Sequence, residues 1–400
     1  MNGKAELPLL IDRRPVLGET KKWLDQVAGI APVIEKLRDE GELERTTSRP
    51  VYEALRGAGI HRMAVSREFG GAQLELATAT AVISELARLD PSVAWQMGVQ
   101  AAISRLSDYL PEPVARRIFQ EQQDLAIGSV NPTGRAEAVE GGYRLDGTWA
   151  FASGSAYADW FVCAAVVFAD GAPRQTEFGP EIRMMFVPRT SVRLRDTWHT
   201  LGLRATNSRH YDVEDQFVTA DHTVAMADMV LPPAPRPSRA YAISYYDFGL
   251  FGSASTVLGI AQGALEAFKE LALAKTPTAG TGTLATSHVT QEKLGRAEIL
   301  TRSAALLLGD AAWHASEHGA DGGDSLSATL RLSAATIAEN SAAAVDILFT
   351  LAGSSSLYTD SLLERYFRDV HTAVKHITLS PTNIEMTGQY LLGNGLKFRR

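Results

Sequence analysis

The sequence predicts an α+β protein whose chain runs helix, then β, then helix again. Three observations predict this. Apolar residues recur at helical spacing over residues 1 to about 120 and again over 236–400. Between them, over about 121–235, short β-type runs are punctuated by Gly, Pro, Asp and Thr. The late helical stretches are long and regular, which suggests a four-helix bundle. The expected domains are therefore an N-terminal α-helical domain (1–120), a middle β domain (121–235) and a C-terminal helical bundle (236–400).

In the first region, "TKKWLDQVAGIAPVIEKLRDEGELE" sets Trp23, Val27, Ile30, Val33, Ile34 and Leu37 on one helical face. "RPVYEALRGAGIHRMAV" does the same with Val51, Leu55 and Ile60, and Gly57 and Gly59 end that helix. "ELATATAVISELARLDPSVAWQMGVQAAISRLSDYLP" gives two helices split at Asp90-Pro91. Proline disfavours helix in the residue before it and starts a new helix well. The middle region supplies the strands "GYRLDGTWAF", "WFVCAAVVFA", "IRMMFVP", "SVRLRDTW" and "HYDVEDQFV". The last region supplies "STVLGIAQGALEAFKELALAK", "VTQEKLGRAEILTRSAALLLGDAAWHASE" and "SATLRLSAATIAENSAAAVDILFTLAG", followed by the shorter "LLERYFRDVHTAVKHI" and "TNIEMTGQYLLG". Residues 275–289 hold Gly280 and Gly282 but follow no strand and lack a third spaced glycine, so they read as an interhelical loop.

Composition narrows the function. The 400 residues carry 39 basic and 46 acidic side chains, a formal net charge of −7, which argues against a nucleic-acid binder. The single cysteine, Cys163, lies in an apolar run and reads as a buried, inert thiol. The N-terminal "MNGKAELPLLIDRRP" shows no leader pattern, and no window approaches the ~20 apolar residues of a membrane span. The reading is a cytoplasmic protein with neither membrane nor nucleic acid as partner.

One stretch stands out, "GTWAFASGSAYADWFV" over 147–162: five aromatics around a small polar run. By itself it is a core strand ending in a turn. In the company of other motifs it resembles a flavin wall. "GTWAFASGSAYADWFVCAA" lines up with the flavin-contacting segment of the acyl-CoA dehydrogenase family. "GSVNPTG" (128–134), "DTWHTLGLRATNSRHYDVEDQFV" and "LAGSSSLYTDSLLERYFRDVHT" resemble further motifs of that family in the same order. The resemblance implies an acyl-CoA dehydrogenase-like fold whose middle domain is a β-barrel or sandwich. It implies a flavin bound near Ser129, Asn131, Phe151, Ser153 and Arg204, with Gly353 and Ser354 near its phosphate or adenine. Phe151 takes the aromatic place and Ser153 that of the hydroxyl facing flavin N5.

Two departures point away from acyl-thioester dehydrogenation. No glutamate follows Arg368-Asp369 where the dehydrogenases carry their base, since "VHTAVKHITLSP" stands there, and Glu385 comes too late. The Arg-x-x-Phe-Gly element is replaced by "LALAKTPTAG". "RDVHTAVKH" together with "FASG" resembles instead the two-component flavin-dependent monooxygenases (group D) of the same superfamily. That resemblance implies a hydroxylase that takes reduced flavin, FADH2 in preference with FMNH2 as the alternative, from a separate NAD(P)H-dependent flavin reductase. It implies O2 as co-substrate, reacting through a C4a-hydroperoxyflavin on a small phenol, indole or amine. His376 is the implied general base or acid, because an imidazole titrates near neutrality. Asn131 is implied beside the peroxide, Trp95 in the substrate pocket, and a homotetramer through the C-terminal bundle. His371 and His376, five apart on one helix, would lie ~140° apart around it, so no metal site is expected. Arg365–Asp369 and Glu364–Arg368 have i,i+4 spacing and read as structural ion pairs. An acyl-CoA dehydrogenase-type FAD oxidoreductase and a non-catalytic helical scaffold are the alternatives.

Overall fold

The computed structural model describes residues 18–121, 125–177, 179–234, 241–278, 280–319 and 321–396. The chain opens with α1 (Gly18–Glu44), α2 (Arg49–Gly57), α3 (Leu76–Leu89), α4 (Pro91–Ser104) and the short α5 (Glu112–Arg116). Asp90 ends α3 and starts α4. Its backbone is extended, and its carboxylate accepts from the N–H groups of Ser92 (2.8 Å) and Val93 (3.3 Å). Pro91 then takes the first helical position, where its missing N–H costs nothing.

The strands are β1 (Leu125–Val139), β2 (Gly142–Ala152), β3 (Ala158–Ala169), the two-residue β4 (Ala172–Pro173), β5 (Gln175–Thr176) and β6 (Gly179–Pro180), β7 (Ile182–Pro188), β8 (Arg193–Arg195), β9 (Arg209–Thr219) and β10 (Thr223–Ala225). Eight belong to one sheet, ordered β10-β7-β3-β1-β2-β9-β8 with β4 beside β3. β1 and β3 run parallel and the other pairs antiparallel. β3 is buried on both faces, which explains its unbroken apolar run. Cys163 lies there fully buried, and burial pushes its thiol pKa up, keeping it unreactive.

The last part comprises α6 (Tyr245–Ala274), α7 (His288–His318), α8 (Gly323–Ala352), α9 (Leu362–Ala373) and α10 (Thr382–Leu391). α6 is the central helix, packed on α3, α4, α7, α8 and α9. Small residues make this possible. Gly98 of α4 meets Gly252 of α6, and a Cβ on either would come within about 3 Å of the other's backbone. Two helices correct the reading of the sequence for membrane spans: Tyr245–Ala274 and Gly323–Ser356 are long and apolar enough to cross a membrane. Most of the apolar stretch of α6 is buried inside the protein, as a bundle's central helix requires.

Candidate active site

The end of β2 is strained. Phe151 has φ +70°, a region that bulky side chains rarely enter, and its ring is 63% exposed. The ring stands edge-on to Trp198 (6.2 Å) and His210 (5.9 Å). The turn is fixed by Ser153 N–H donating to Phe151 O (2.9 Å) and Gly154 N–H to Thr206 O (2.8 Å), with Gly154 at φ +84°. A planar apolar surface is thus held outward by backbone geometry. Trp149 and Trp160 are buried packing residues. Trp149 lies against Gly134 and donates to Ala164 O at 2.8 Å, and Trp160 stacks on His222.

The Ser153 hydroxyl is buried in a directed chain. Its Oγ lies 2.7 Å from Ser208 Oγ, which lies 2.6 Å from Thr206 Oγ1, which donates to Leu203 O at 2.8 Å. A carbonyl only accepts, so each hydroxyl proton points toward Leu203 and Ser153 Oγ keeps unused lone pairs. In β1, residues 130–133 leave the ladder with β3 between Ser129↔Cys163 and Gly134↔Ala165. Pro132 has no N–H to give that ladder, and the arch puts Asn131 on the surface with its N–H bonded to Ser129 Oγ at 3.3 Å.

α4 and the segment after α9 complete the frame. Gln96 Nε2 donates to Ala205 O (3.3 Å) and Thr47 Oγ1 (2.6 Å), fixing α4 on the turn that carries Thr206 and Ser208. Its neighbour Trp95 is buried and meets the His376 ring edge-on at 5.3 Å. The His376 ring is exposed by surface area, yet protein surrounds it on nearly every side. Those surroundings disfavour its charged form and push its pKa down to about 4, so the imidazole is neutral near pH 7.

Two readings of this segment are corrected. His371 and His376 do not share a helix: α9 ends at Ala373, its last turn tightening so that His376 N–H donates to Ala373 O at 3.1 Å. His371 instead binds Asp346 Oδ1 at 2.8 Å. Nor does Arg365 pair with Asp369. Arg365 reaches Asp39 (2.7 Å), while Asp369 accepts Leu203 N–H (2.6 Å). The Arg368–Glu364 pair does form, nearly buried, and Arg368 also holds Glu42 and Leu201 O. This clamp seats α9 on the 201–208 turn, where a Cβ on Gly202 would sit 2.3 Å from Arg368 O.

The structure therefore brings Phe151 and Ser153 to the 198–208 turn, and Trp95, beside the Gln96 that holds α4 on that turn, to His376. It does not bring Gly353 and Ser354 there. The His376 segment packs near Arg331 through Asn383, whereas Gly353 closes the C-terminal end of α8, 22 residues beyond Arg331. Arg204 turns toward Glu42, 3.7 Å away. Thr206, Ser208, Ser253 and Thr378 carry no sequence signal, because single hydroxyl residues are common in turns and helices. A polar groove of about 240 Å³ over β2 and β9 is separate from this frame, and its Arg195 and Asp212 neutralise each other at 2.8 Å.

The residues fit a reduced flavin. Its N5–H requires an acceptor, which Ser153 Oγ keeps available, and its ring requires an apolar plane, which Phe151 presents. Comparison with known proteins agrees. Residues 19–109 match the acyl-CoA dehydrogenase N-terminal domain and 251–381 the acyl-CoA dehydrogenase C-terminal domain, together more than half of the chain. The oxygenase component of an FADH2-dependent resorcinol hydroxylase from Rhizobium sp. (strain MTP-10005) is 32% identical over 67% of this chain and 65% of its own length. A pigment production hydroxylase from Rhodococcus sp. (strain ATCC 21145) is 26% identical over 92% of this chain and 96% of its own. The structure of XiaF from Streptomyces sp., in complex with FADH2 and glycerol, superposes with a TM-score of 0.88 over 95% of this chain and 97% of that one, at 23% identity.

Proposed function

The chain belongs to the acyl-CoA dehydrogenase superfamily, and from that premise we propose that it is the oxygenase component of a two-component, reduced-flavin-dependent monooxygenase. Its substrate is a small electron-rich aromatic, a phenol before an indole or amine, in line with the relative that hydroxylates resorcinol. FADH2 from a separate NAD(P)H-dependent reductase is the cofactor and O2 the co-substrate. When bound, the reduced flavin supplies two electrons and activates O2.

The protein's own part is placement, exclusion of water and proton handling. Phe151 packs on the ring and Ser153 accepts from N5–H. Ser129 and Asn131 border the same face, and the exposed Asn131 amide is free to hydrogen-bond oxygen. Trp95 walls the substrate. His376 takes the phenol proton and returns it after oxygen transfer, and a neutral imidazole is the form that can accept it. Gly353, Ser354 and Arg204 serve the phosphate and adenine end. Gly353 and Ser354, at the C-terminal end of α8, would meet the flavin of a neighbouring subunit within a homotetramer. Exposed Ile299, Leu306 and Trp313 on α7 support such self-association.

His376 carries the reading. A neutral imidazole stands against Trp95, whereas Glu385, the first carboxylate after Asp369, is exposed on α10 beside Gln389. A dehydrogenase of this fold would need a carboxylate at the ring. The test supplies FADH2 under 18O2 with resorcinol-type phenols and measures one 18O atom per product by mass spectrometry. An anaerobic titration that finds no affinity for reduced flavin sinks the reading and leaves the scaffold alternative.

A further inference from the structure

We propose that Ser253 and Thr378 are positioning residues, a hydroxyl relay that fixes the tautomer of His376 and leaves a lone pair on its Nε2. The inference rests on His376 being the base, and it assigns what keeps that base ready. His376 opens the turn Ile377–Leu379, with Nδ1 2.7 Å from Thr378 Oγ1. Thr378 Oγ1 lies 2.6 Å from Ser253 Oγ on α6, 125 residues away in the chain. Ser253 is buried and donates to Leu250 O at 3.1 Å, one turn earlier.

The direction of the relay follows from its end. The Leu250 carbonyl can only accept, so the single Ser253 proton is committed there. Ser253 Oγ must then accept from Thr378, which spends Thr378's single proton. Thr378 Oγ1 is left as an acceptor and takes Nδ1–H from His376. The competing donor, Thr378 N–H, lies 3.4 Å from Nδ1, at the edge of hydrogen-bond range, and loses to the 2.7 Å contact. With its proton on Nδ1, the neutral ring offers Nε2 as acceptor. The relay is held from three sides. Asn383 Nδ2 donates to Ile377 O (3.3 Å) and Thr378 O (3.0 Å). Trp95 holds the ring edge, and the Gly98–Gly252 contact fixes α6 against α4.

The experiment uses full-length protein with 15N-labelled histidine and reads the imidazole nitrogens by NMR above pH 7. Among the nine histidines, His376 is assigned by the signals missing in His376→Asn. In the wild type the proton is expected on Nδ1. Ser253→Ala frees the Thr378 hydroxyl to donate to Nδ1, and Thr378→Val leaves only the backbone donor, so both move the proton to Nε2. In turnover with a phenol both variants lower kcat on the order of ten-fold or more, with KM within about two-fold, and Thr378→Ser restores kcat. A wild-type proton on Nε2, or a tautomer that neither variant moves, overturns the relay. A tautomer that moves with no change in kcat overturns its role in positioning. If the tautomer moves as stated in a protein that transfers no oxygen, the relay stands and the functional reading falls alone.

Discussion

Trp95 and His376 meet edge to face, ring centres 5.3 Å apart and planes 81° apart, although 281 residues separate them in sequence. Trp95 rides on α4, whose start is fixed by the Asp90 cap, so its indole is a rigid reference for a ring in a short turn. The contact ties the first helical region to the last, one residue from the Gln96 that meets the turn after β2. A catalytic frame drawn from distant segments needs such cross-links, because positions on turns are otherwise loose.

Replacing His376 with Asn should leave reduced-flavin affinity within about two-fold and lower oxygen transfer roughly 10²- to 10⁴-fold, the range for loss of a general base. A binding titration beside product analysis checks it. The same variant has a stability signature. His376 titrates near 4 in the fold and near 6.5 when free, so below 6.5 the unfolded chain binds the proton first. Its contribution is fully present above pH 6.5 and is lost as the pH falls toward 4. The stability difference between about pH 7.5 and about pH 5, measured by denaturant unfolding, should shrink in His376→Asn.

Phe151 trades stability for function. A bulky residue at φ +70° costs on the order of 1–3 kcal/mol, and little burial offsets this because the ring is exposed. Phe151→Gly should therefore unfold at an equal or higher temperature than the wild type while binding reduced flavin several-fold more weakly. A lower Tm with unchanged affinity would mean that Phe151 serves the fold and not the ligand.

Much of this was legible in the sequence, and the illegible part has a common cause. Helical spacing marks α1 and α2 because burial follows one face there, whereas α3 and α4 are buried nearly all round and are marked by the Asp90-Pro91 break between them, which is stereochemical. Phe151, Ser153 and His376 stand in recognisable motifs. Spacing failed where tertiary partners outbid local ones. Arg365 and Asp369 are four apart on a helix, yet Asp39 and the Leu203 N–H claim them. His371 and His376 parted because the helix ended between them. Ser253 and Thr378 could not be seen at all, since a hydrogen bond across 125 residues leaves no pattern in a single chain.

Asp369 should act on stability in the sense opposite to His376. Burial, reinforced by Glu42, raises its pKa from 3.8 to about 7 against the Leu203 N–H bond. The folded state then holds the proton that the unfolded state releases, and stability falls as the pH rises from about 4 to about 7. Asp369→Asn keeps an acceptor for Leu203 N–H and cannot ionise, so its stability relative to wild type should improve across that window. Asp369→Ala strands the buried Leu203 N–H and should cost about 1–3 kcal/mol at any pH. Urea unfolding of both variants across the window reads the two effects separately.

Ile299, Leu306 and Trp313 lie seven residues apart on α7 and are all exposed. Seven residues fall only ~20° short of two full turns, so the three form one apolar stripe about 21 Å long. In a monomer that stripe would face water at a hydrophobic cost. The double variant Ile299→Glu, Trp313→Glu sets two charges on it without touching the buried face of α7. Light scattering should find the wild type tetrameric and the variant dissociated, with circular dichroism unchanged. If Gly353 and Ser354 serve the flavin of a neighbouring subunit, dissociation also weakens reduced-flavin binding, whereas an assembly that does not use this stripe would leave both readings as they were.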